Sequence, residues 1–513
     1  MDISPDQFPL YVAGVLGAIA LIIILLSSTG KKSKYIAMSL STAGFVFALA
    51  FIVLQALGYM GTVQNNPGVG SLFAIDWVSY IFGIAVLVVA LLVGLTAVDY
   101  FSDLIGTDVT SFYALLVFTT IGTLLLVFSA NLLMMFVAWE MMSIPSYVLT
   151  GFKKKDPASN EAAVKYFVIS AFSSAVLLYG ISLIYLLTGN LSIYQVVNAA
   201  TGLGGAEPIG FLALTFFVAG FGIKLAAVPF HMWIPDAYQG APTIVSALLS
   251  TATKGATFAP AIRVLFVTFS FSAFQPDWTL TFAVLSVLSM TLGNFAALTQ
   301  KSVTRILAYS SIGQAGYIMI GLAAGGQLGL TGSFFHILNY ATMQSCAFLA
   351  AALIIRNVGS DDLDSFNGIG KRVAVAPLAL TLSLLALGGF PPLNGFWSKF
   401  VLFLSAFQSS SNLSWLAIVA IINSFVSIAF YVRIVKHMYL DEGNSATKLV
   451  ETNGFKASLT LASVIIVTTG IYPGPLIQFA SVAAQSFLSE IHSAPTAQFI
   501  GYFSLLIRIL LQS

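Results

Sequence analysis

Charge is what this sequence has least of. Only 8% of its 513 residues are Asp, Glu, Lys or Arg, against 58% hydrophobic, and the mean hydropathy is +0.95. Soluble domains carry about 25% charged residues, and a water-surrounded fold has no interior large enough for so much apolar surface. A net charge of +2 implies no general attraction to nucleic acid. One cysteine, Cys346, excludes a disulfide framework and a cysteine-ligated iron–sulfur cluster. The four histidines, His231, His336, His437 and His492, are scattered without metal-ligand spacing. Glycine pairs such as Gly204-Gly205 and Gly325-Gly326 sit in short connections rather than after a strand, so no flavin or dinucleotide fingerprint is present. No cofactor and no metal are expected on this chain, and any redox chemistry it serves is done elsewhere.

Long apolar runs fill the sequence instead. A membrane-spanning helix needs about 20 predominantly apolar residues. Such runs fall near 8–28, 36–60, 76–98, 111–129, 131–151, 160–188, 208–238, 242–268, 279–299, 302–324, 329–355, 373–405, 413–439 and 457–480. This predicts an all-α polytopic membrane protein of about fourteen transmembrane helices. The first run is followed by Lys31, Lys32 and Lys34, the reverse of a signal peptide's order, so it is expected to remain as a helix. The tail, 482–513, holds a further apolar stretch, FIGYFSLLIRILL, with Arg508 inside it; an interfacial helix is expected there rather than a fifteenth span. Lys and Arg occupy alternate connections: Lys31, Lys32 and Lys34, then Lys153, Lys154 and Lys155, then Lys301, then Arg356, Lys371 and Arg372, then Lys448 and Lys456. The opposite connections, about 61–75, 189–207, 269–278, 325–328 and 406–412, hold none. Positive charge marks the cytoplasmic side, which puts both termini on the outer side.

Two segments repeat. VAWEMMSIPSYVLTG (137–151), in the fifth span, aligns with LAYSSIGQAGYIMIG (307–321), in the tenth: Trp139 with Tyr309, Tyr147 with Tyr317 and Gly151 with Gly321, always 170 residues apart. Being five spans apart, the two cross in opposite directions. The seventh and twelfth spans are both long and interrupted by proline, at AVPFH (227–231) and GGFPP (388–392). Paired interruptions in two inverted halves mark transporter architecture, with the ion site near the breaks.

A few charges remain inside the spans. Glu140 lies mid-span in the fifth, Lys165 about one and a half turns into the sixth, and Lys224 just before the break of the seventh. Lys254 is near the middle of the eighth and Lys399 follows the break of the twelfth. Each mid-span charge costs roughly 2.5–3.5 kcal/mol on insertion scales, so pairing or water must offset them. Desolvation disfavours a charged amine and a nearby carboxylate favours it, so one carboxylate with several lysines on successive helices forms a proton relay. Carbonyls freed at the breaks hold water that joins the sites. His231, just after the first break, is a second carrier or a cap on freed carbonyls. His336, on an apolar helix, is a relay member or a satisfied core histidine. Lys165 is near enough to the cytoplasmic end to snorkel, and Arg263, toward the outer end of the eighth span, is expected to snorkel.

At these residues the chain resembles the antiporter-like subunits of respiratory complex I, and among them subunit N (subunit 2). VPFHMWIPDAYQGAPTIVSALLSTATKGATFA (228–259) is similar to the family's seventh and eighth helices, EAAVKYFVISAFSSAVLLYGISLIYLLTG (161–189) to its sixth, and RILAYSSIGQAGY (305–317) to its tenth. The resemblance runs from about residue 70 to 440. It implies that Glu140 is the fifth-helix carboxylate partnering Lys224, Lys254 the central relay lysine, Lys399 the terminal lysine, Lys165 an additional lysine and His231 the histidine after the break. Many subunit N sequences have histidine where this chain has Gln314, which leaves the link between the halves to His336 or water. A lysine at 399 argues against subunit M, which has glutamate there, and the chain is short for subunit L.

The resemblance implies two inverted five-helix repeats, 111–268 and 279–440, preceded by a three-helix region, 1–110, and followed by a C-terminal helix and tail, 441–513. It implies an energy-transducing membrane and partners among membrane-arm subunits of the A, J, K and M/L types, with a peripheral redox arm. Quinone, flavin and iron–sulfur clusters would sit in those partners. The expected activity is proton translocation within an NADH-, ferredoxin- or F420-linked quinone oxidoreductase. The alternatives are a subunit of a multisubunit Mrp-type cation/proton antiporter or of a membrane-bound hydrogenase, and a subunit that merely bridges its neighbours.

Overall fold

In the computed structural model, which describes residues 7–26, 33–58, 72–101, 108–196, 207–269, 278–372, 374–409, 411–443 and 450–493, each apolar run becomes helix. The chain order is α1 (Phe8–Leu26), α2 (Ser33–Ala56), α3 (Trp77–Phe101), α4 (Val109–Phe128), α5 (Leu132–Thr150), α6 (Pro157–Thr188), α7 (Glu207–Leu225) and the short α8 (Ile234–Gly240). Next comes α9, a continuous helical run in four pieces, Thr243–Leu248, Leu249–Thr253, Lys254–Arg263 and Val264–Thr268, of which the second and fourth are π-helical. There follow α10 (Trp278–Thr299), α11 (Val303–Ala324), α12 (Gly326–Val358), α13 (Val375–Gly388), α14 (Asn394–Phe407), α15 (Ser414–Tyr439), α16 (Asn453–Ile471) and α17 (Gly474–Ser493). Twelve described helices are individually long and apolar enough to cross a membrane. The fourteen expected from the sequence would add α9 and the pair α13–α14 to these twelve. The seventh span is long but broken, as expected, into α7 and α8.

The fourteenth span ends at Ile471, earlier than the apolar run suggested, because Pro473 cannot continue it. A separate helix, α17, begins at once and buries Ala480, Ala483, Ala484 and Phe487. Lys31, Lys32, Lys448 and the stretch FIGYFSLLIRILL lie outside the described residues.

The repeat extends beyond the matched segments. In the first half Leu132 N–H donates to Leu191 O (2.8 Å) and Ile193 N–H to Ala130 O (3.0 Å); in the second Val303 N–H donates to Asp361 O (2.8 Å) and Leu363 N–H to Lys301 O (2.8 Å). These tie the start of α5 to the end of α6, and the start of α11 to the end of α12, in the same way. Asn131 caps α5 through its side chain as Ser302 caps α11. Both α6 and α12 end on a left-handed glycine, Gly189 and Gly359 (φ 65° and 82°), 170 residues apart.

The two breaks also share one construction. At the end of α7, Ala227 N–H reaches Gly222 O (3.0 Å) and Ala226 N–H reaches Ile223 O (3.2 Å); at the end of α13, Phe390 N–H reaches Leu385 O (3.0 Å) and Gly389 N–H reaches Ala386 O (2.9 Å). Each is a Schellman cap with its turning residue at positive φ, Ala226 at 51° and Gly389 at 87°. The proline that follows blocks any return to helix.

The second half is tightly packed around α12, which is buried along its whole apolar length. Gly395, at the start of α14, lies against the carbonyl of Ala386 and the sulfur of Met343, so a Cβ there would overlap the carbonyl. Gly395→Ala is expected to force α14 off α13 and destabilise by about 1–3 kcal/mol. A parental melting temperature for the variant complex would refute this packing.

Candidate functional site

The last turn of α7 carries Lys224 into the interior, 3% exposed. Its ammonium donates to Ser143 Oγ on α5 (2.8 Å) and to Tyr166 OH (3.2 Å) and Ser170 Oγ (3.1 Å) on α6. These three acceptors match an ammonium's three donors. The amine also sits over the rings of Tyr166 (5.1 Å), Trp139 (5.6 Å) and Tyr147 (5.8 Å). Half-buried Glu140 accepts from Ser174 Oγ instead. No ion pair joins Glu140 to Lys224 among the described residues; both bind the same face of α6, where Tyr166, Ser170 and Ser174 recur every four residues. The expected contact is therefore not made, and hydroxyls of α6 stand between the two groups.

Lys254 begins the α-helical piece after the first π segment of α9 and is likewise 3% exposed. It donates to Ser311 O (2.7 Å) and Ser311 Oγ (3.0 Å) on α11. One turn along α11, Gln314 bridges onward: its Nε2 donates to Leu387 O (3.2 Å) while its Oε1 faces His336 Nε2 at 3.0 Å. A carbonyl oxygen only accepts, so His336 carries its hydrogen on Nε2. His336 Nδ1 meets Ser398 Oγ at 2.9 Å, beside Lys399 in sequence. Neutral His336 takes the Ser398 hydrogen on Nδ1; a protonated ring turns it toward Gly395 O, 3.2 Å away. Gln314 thus bonds His336 and the break of the second half, one turn from the Ser311 that holds Lys254.

Lys399, 3% exposed, donates to Ser424 Oγ (3.0 Å) and to the freed carbonyl of Gly388 at the break (3.4 Å). It lies 4.4 Å over the ring of Tyr317, the residue that repeats Tyr147. Each half therefore sets a buried lysine at its break on the face of the same tyrosine. A cavity of about 310 Å³ lined by Gly389, Phe396 and Phe425 reaches Lys399.

Two predicted members stand apart. Lys165 is on the surface, its side chain 44% exposed, paired with Glu161 (2.7 Å) and Asp236 (2.9 Å). Asp236 also holds Arg305 of α11 at 2.8 Å, so this cluster ties the two halves together beside a cavity of about 610 Å³. His231 is buried after the break, and its Nδ1 has no hydrogen-bond partner among the described residues.

Arg263 does not snorkel. It is fully buried, with Nη2 donating to Asp76 Oδ1 (2.7 Å), Asp76 Oδ2 (2.8 Å) and Ser79 Oγ (2.7 Å), and Nη1 to Val127 O. Asp76 sits just before α3, where a carboxylate looks like a headgroup-level residue, and so gave no signal of its own. The hydroxyl shell (Ser143, Tyr166, Ser170, Ser311, Ser424) was equally silent, because serines and tyrosines are common on these helices. The offset of 170 was the one available pointer, leading from Tyr147 to Tyr317.

Two halves crossing in opposite directions, each with a proline-broken helix and a buried lysine at the break, define an antiporter-like membrane subunit. Residues 129–427 match the family described as NADH:quinone oxidoreductase/Mrp antiporter, TM, and the chain belongs to it. It is 38% identical over 485 residues to the F(420)H(2) dehydrogenase subunit N of Methanosarcina mazei, covering 92% of this chain and 97% of that protein. A chain of respiratory complex I from Thermus thermophilus is similar with a TM-score of 0.74 and 29% identity, over 92% of this chain and 99% of that one. A chain of the Mrp complex from Dietzia sp. DQ12-45-1b shares the fold, with a TM-score of 0.80 at 22% identity over 96% of this chain and 98% of that one. The resemblance first carried by residues 161–189, 228–259 and 305–317 is borne out.

Proposed function

We propose that this chain is a proton-translocating, N-type membrane-arm subunit of a complex I-type quinone oxidoreductase. One observation carries it. Lys224, Lys254 and Lys399 lie buried with hydroxyls, carbonyls and tyrosine rings around their amines and, among the described residues, no carboxylate bonded to any of them. A lysine locked in an ion pair is structural, whereas one solvated by neutral groups can lose and regain its proton.

In this reading Glu140 senses charge shifted by quinone reduction in a neighbouring subunit and acts on Lys224 through the hydroxyl face of α6. Protons pass from Lys254 at Ser311 by way of water to His336, which Gln314 holds in place without carrying a proton itself, and on by Ser398 to Lys399 for release. His231 is a carrier beside the first break, and Lys165 exchanges protons at the inner cavity. Residues 111–268 and 279–440 are the two antiporter-like units, flanked by 1–110 and 441–513. The alternation of Lys and Arg among the connections supports both termini facing the outer side. The chain packs among other membrane-arm subunits in an energy-transducing membrane, and the redox cofactors belong to those partners and a peripheral arm. The fold shared with the Mrp complex supports a second reading, cation/proton antiport without redox coupling; the co-purifying subunits separate the two.

Glu140→Gln keeps the side chain's shape and removes its charge. A lost coupling of about 1.4 kcal/mol, modest for a partly buried pair, slows a step roughly tenfold. In the intact complex in sealed vesicles the variant is expected to assemble and to lower proton uptake by about that factor. Uptake at the parental rate ends the redox-coupled reading.

A further inference from the structure

Two residues beyond each helix-breaking proline stands a polar side chain, His231 after Pro229 and Asn394 after Pro392. The positions are equivalent. The cap bonds Gly222–Ala227, Ile223–Ala226 and Ala227–Phe230 recur as Leu385–Phe390, Ala386–Gly389 and Phe390–Leu393, always 163 residues apart. Both side chains are buried, 5% and 0% exposed, and each carries a polar atom without a hydrogen-bond partner among the described residues: Nδ1 of His231 and Oδ1 of Asn394.

Asn394 is held on its other side by Asn339 of α12. Its Nδ2 donates to Asn339 Oδ1 at 3.1 Å, which leaves Asn339 Nδ2 without a partner as well. Rotating the carboxamides does not relieve this. Turning one sets like groups face to face, and turning both only moves the orphaned donor and acceptor to the opposite residues. An N–H group and a carbonyl oxygen thus stay unanswered at membrane depth, where such groups are costly. Water accepts from the one and donates to the other.

The place is well connected. Asn339 is one turn from His336 on α12, and Asn394 is one turn from Ser398 on α14, so the Asn339–Asn394 contact lies beside the His336–Ser398 contact. Tyr340, next to Asn339, donates at 2.9 Å to Ser250 O in the π segment that precedes Lys254. We propose that Asn339 and Asn394 bind an ordered water at the second break, the counterpart of one on His231 Nδ1 at the first, and that it passes protons from the Lys254 side to Ser398 and Lys399 in parallel with His336. The two carboxamides hold and orient the water and exchange no proton themselves; the water takes a proton from a hydroxyl or second water on the Lys254 side as it releases another toward the Ser398 hydroxyl, and is itself unchanged. The conducting role rests on the relay reading above; the binding site does not.

Density maps of the intact complex that resolve buried water are expected to show it within hydrogen-bonding distance of Asn394 Oδ1 and Asn339 Nδ2; a vacant gap there overturns the site. Asn339→Leu with Asn394→Leu replaces both amides at similar volume and is expected to lose that density and slow proton uptake roughly tenfold. Asn394→Ser, whose hydroxyl still binds water, is expected to recover much of the uptake that Asn394→Leu loses. Parental uptake in an assembled double-leucine complex overturns the route. If that variant does not assemble, the parent map decides the site, and the serine and leucine variants at 394 behaving alike overturns the route. Parental uptake in Lys254→Ala would instead sink the relay itself, so the two failures are distinguishable.

Discussion

Lys254→Ala is expected to slow proton movement through this chain by roughly a hundredfold, the lower end of what a positioned proton-transfer group contributes, while the complex still assembles. Assembly should survive because the amine's partners, Ser311 O and Ser311 Oγ, are neutral. Removing the amine strands no charge, unlike truncating one side of an ion pair. Conduction should fail because, in the proposed relay, Lys254 passes protons on to the second half through its contact with α11 at Ser311. Lys254→Arg separates charge from proton exchange: arginine keeps the charge but does not release its proton, so it is expected to block as alanine does. Sealed vesicles with a pH-sensitive dye, read beside electron transfer, decide it. Parental uptake in either assembled variant would exclude a route through α9.

Arg263→Met is expected to lose assembled complex from the membrane. It leaves the Asp76 carboxylate buried with only Ser79 N–H, at 2.7 Å, still donating to it among the bonds described, and breaking a buried pair from one side costs about 3–5 kcal/mol. That is a large part of a domain's stability of about 5–15 kcal/mol. Removing both charges with Arg263→Met and Asp76→Leu is expected to recover much of the loss, because well-packed apolar residues often replace a buried pair without penalty. The comparison is made on the amount of assembled complex and its melting temperature. A single variant as stable as the parent would mean the pair contributes nothing.

The breaks and the buried lysines were legible in the sequence for one reason: proline and charge are conspicuous in a run of leucine, valine and phenylalanine. The repeat showed in α5 and α11 because tyrosine and glycine persist there. It was invisible in α6 and α12, which share a left-handed glycine end and a backbone bridge but few residues. Arg263 was misjudged because a sequence gives depth along a span and not the neighbour across it; Asp76 lies 187 positions away in the chain. The solvation of Lys224 was hidden likewise, since four-residue spacing of Tyr166, Ser170 and Ser174 states that they share a face but not which way that face looks. Lys165 lies only about one and a half turns into its span, and it turns to the surface cavity and Asp236.

Glu140 is enclosed by its own chain on one side only. Leu133, Val137, Ile144 and Val148 continue its stripe along α5 and all point outward. When the polypeptide is extracted alone, detergent wets that stripe; in its native assembly another protein or lipid covers it. What surrounds the Glu140 carboxylate is therefore set by whatever lies on α5, whereas Lys224 and Lys254 are enclosed by this chain alone.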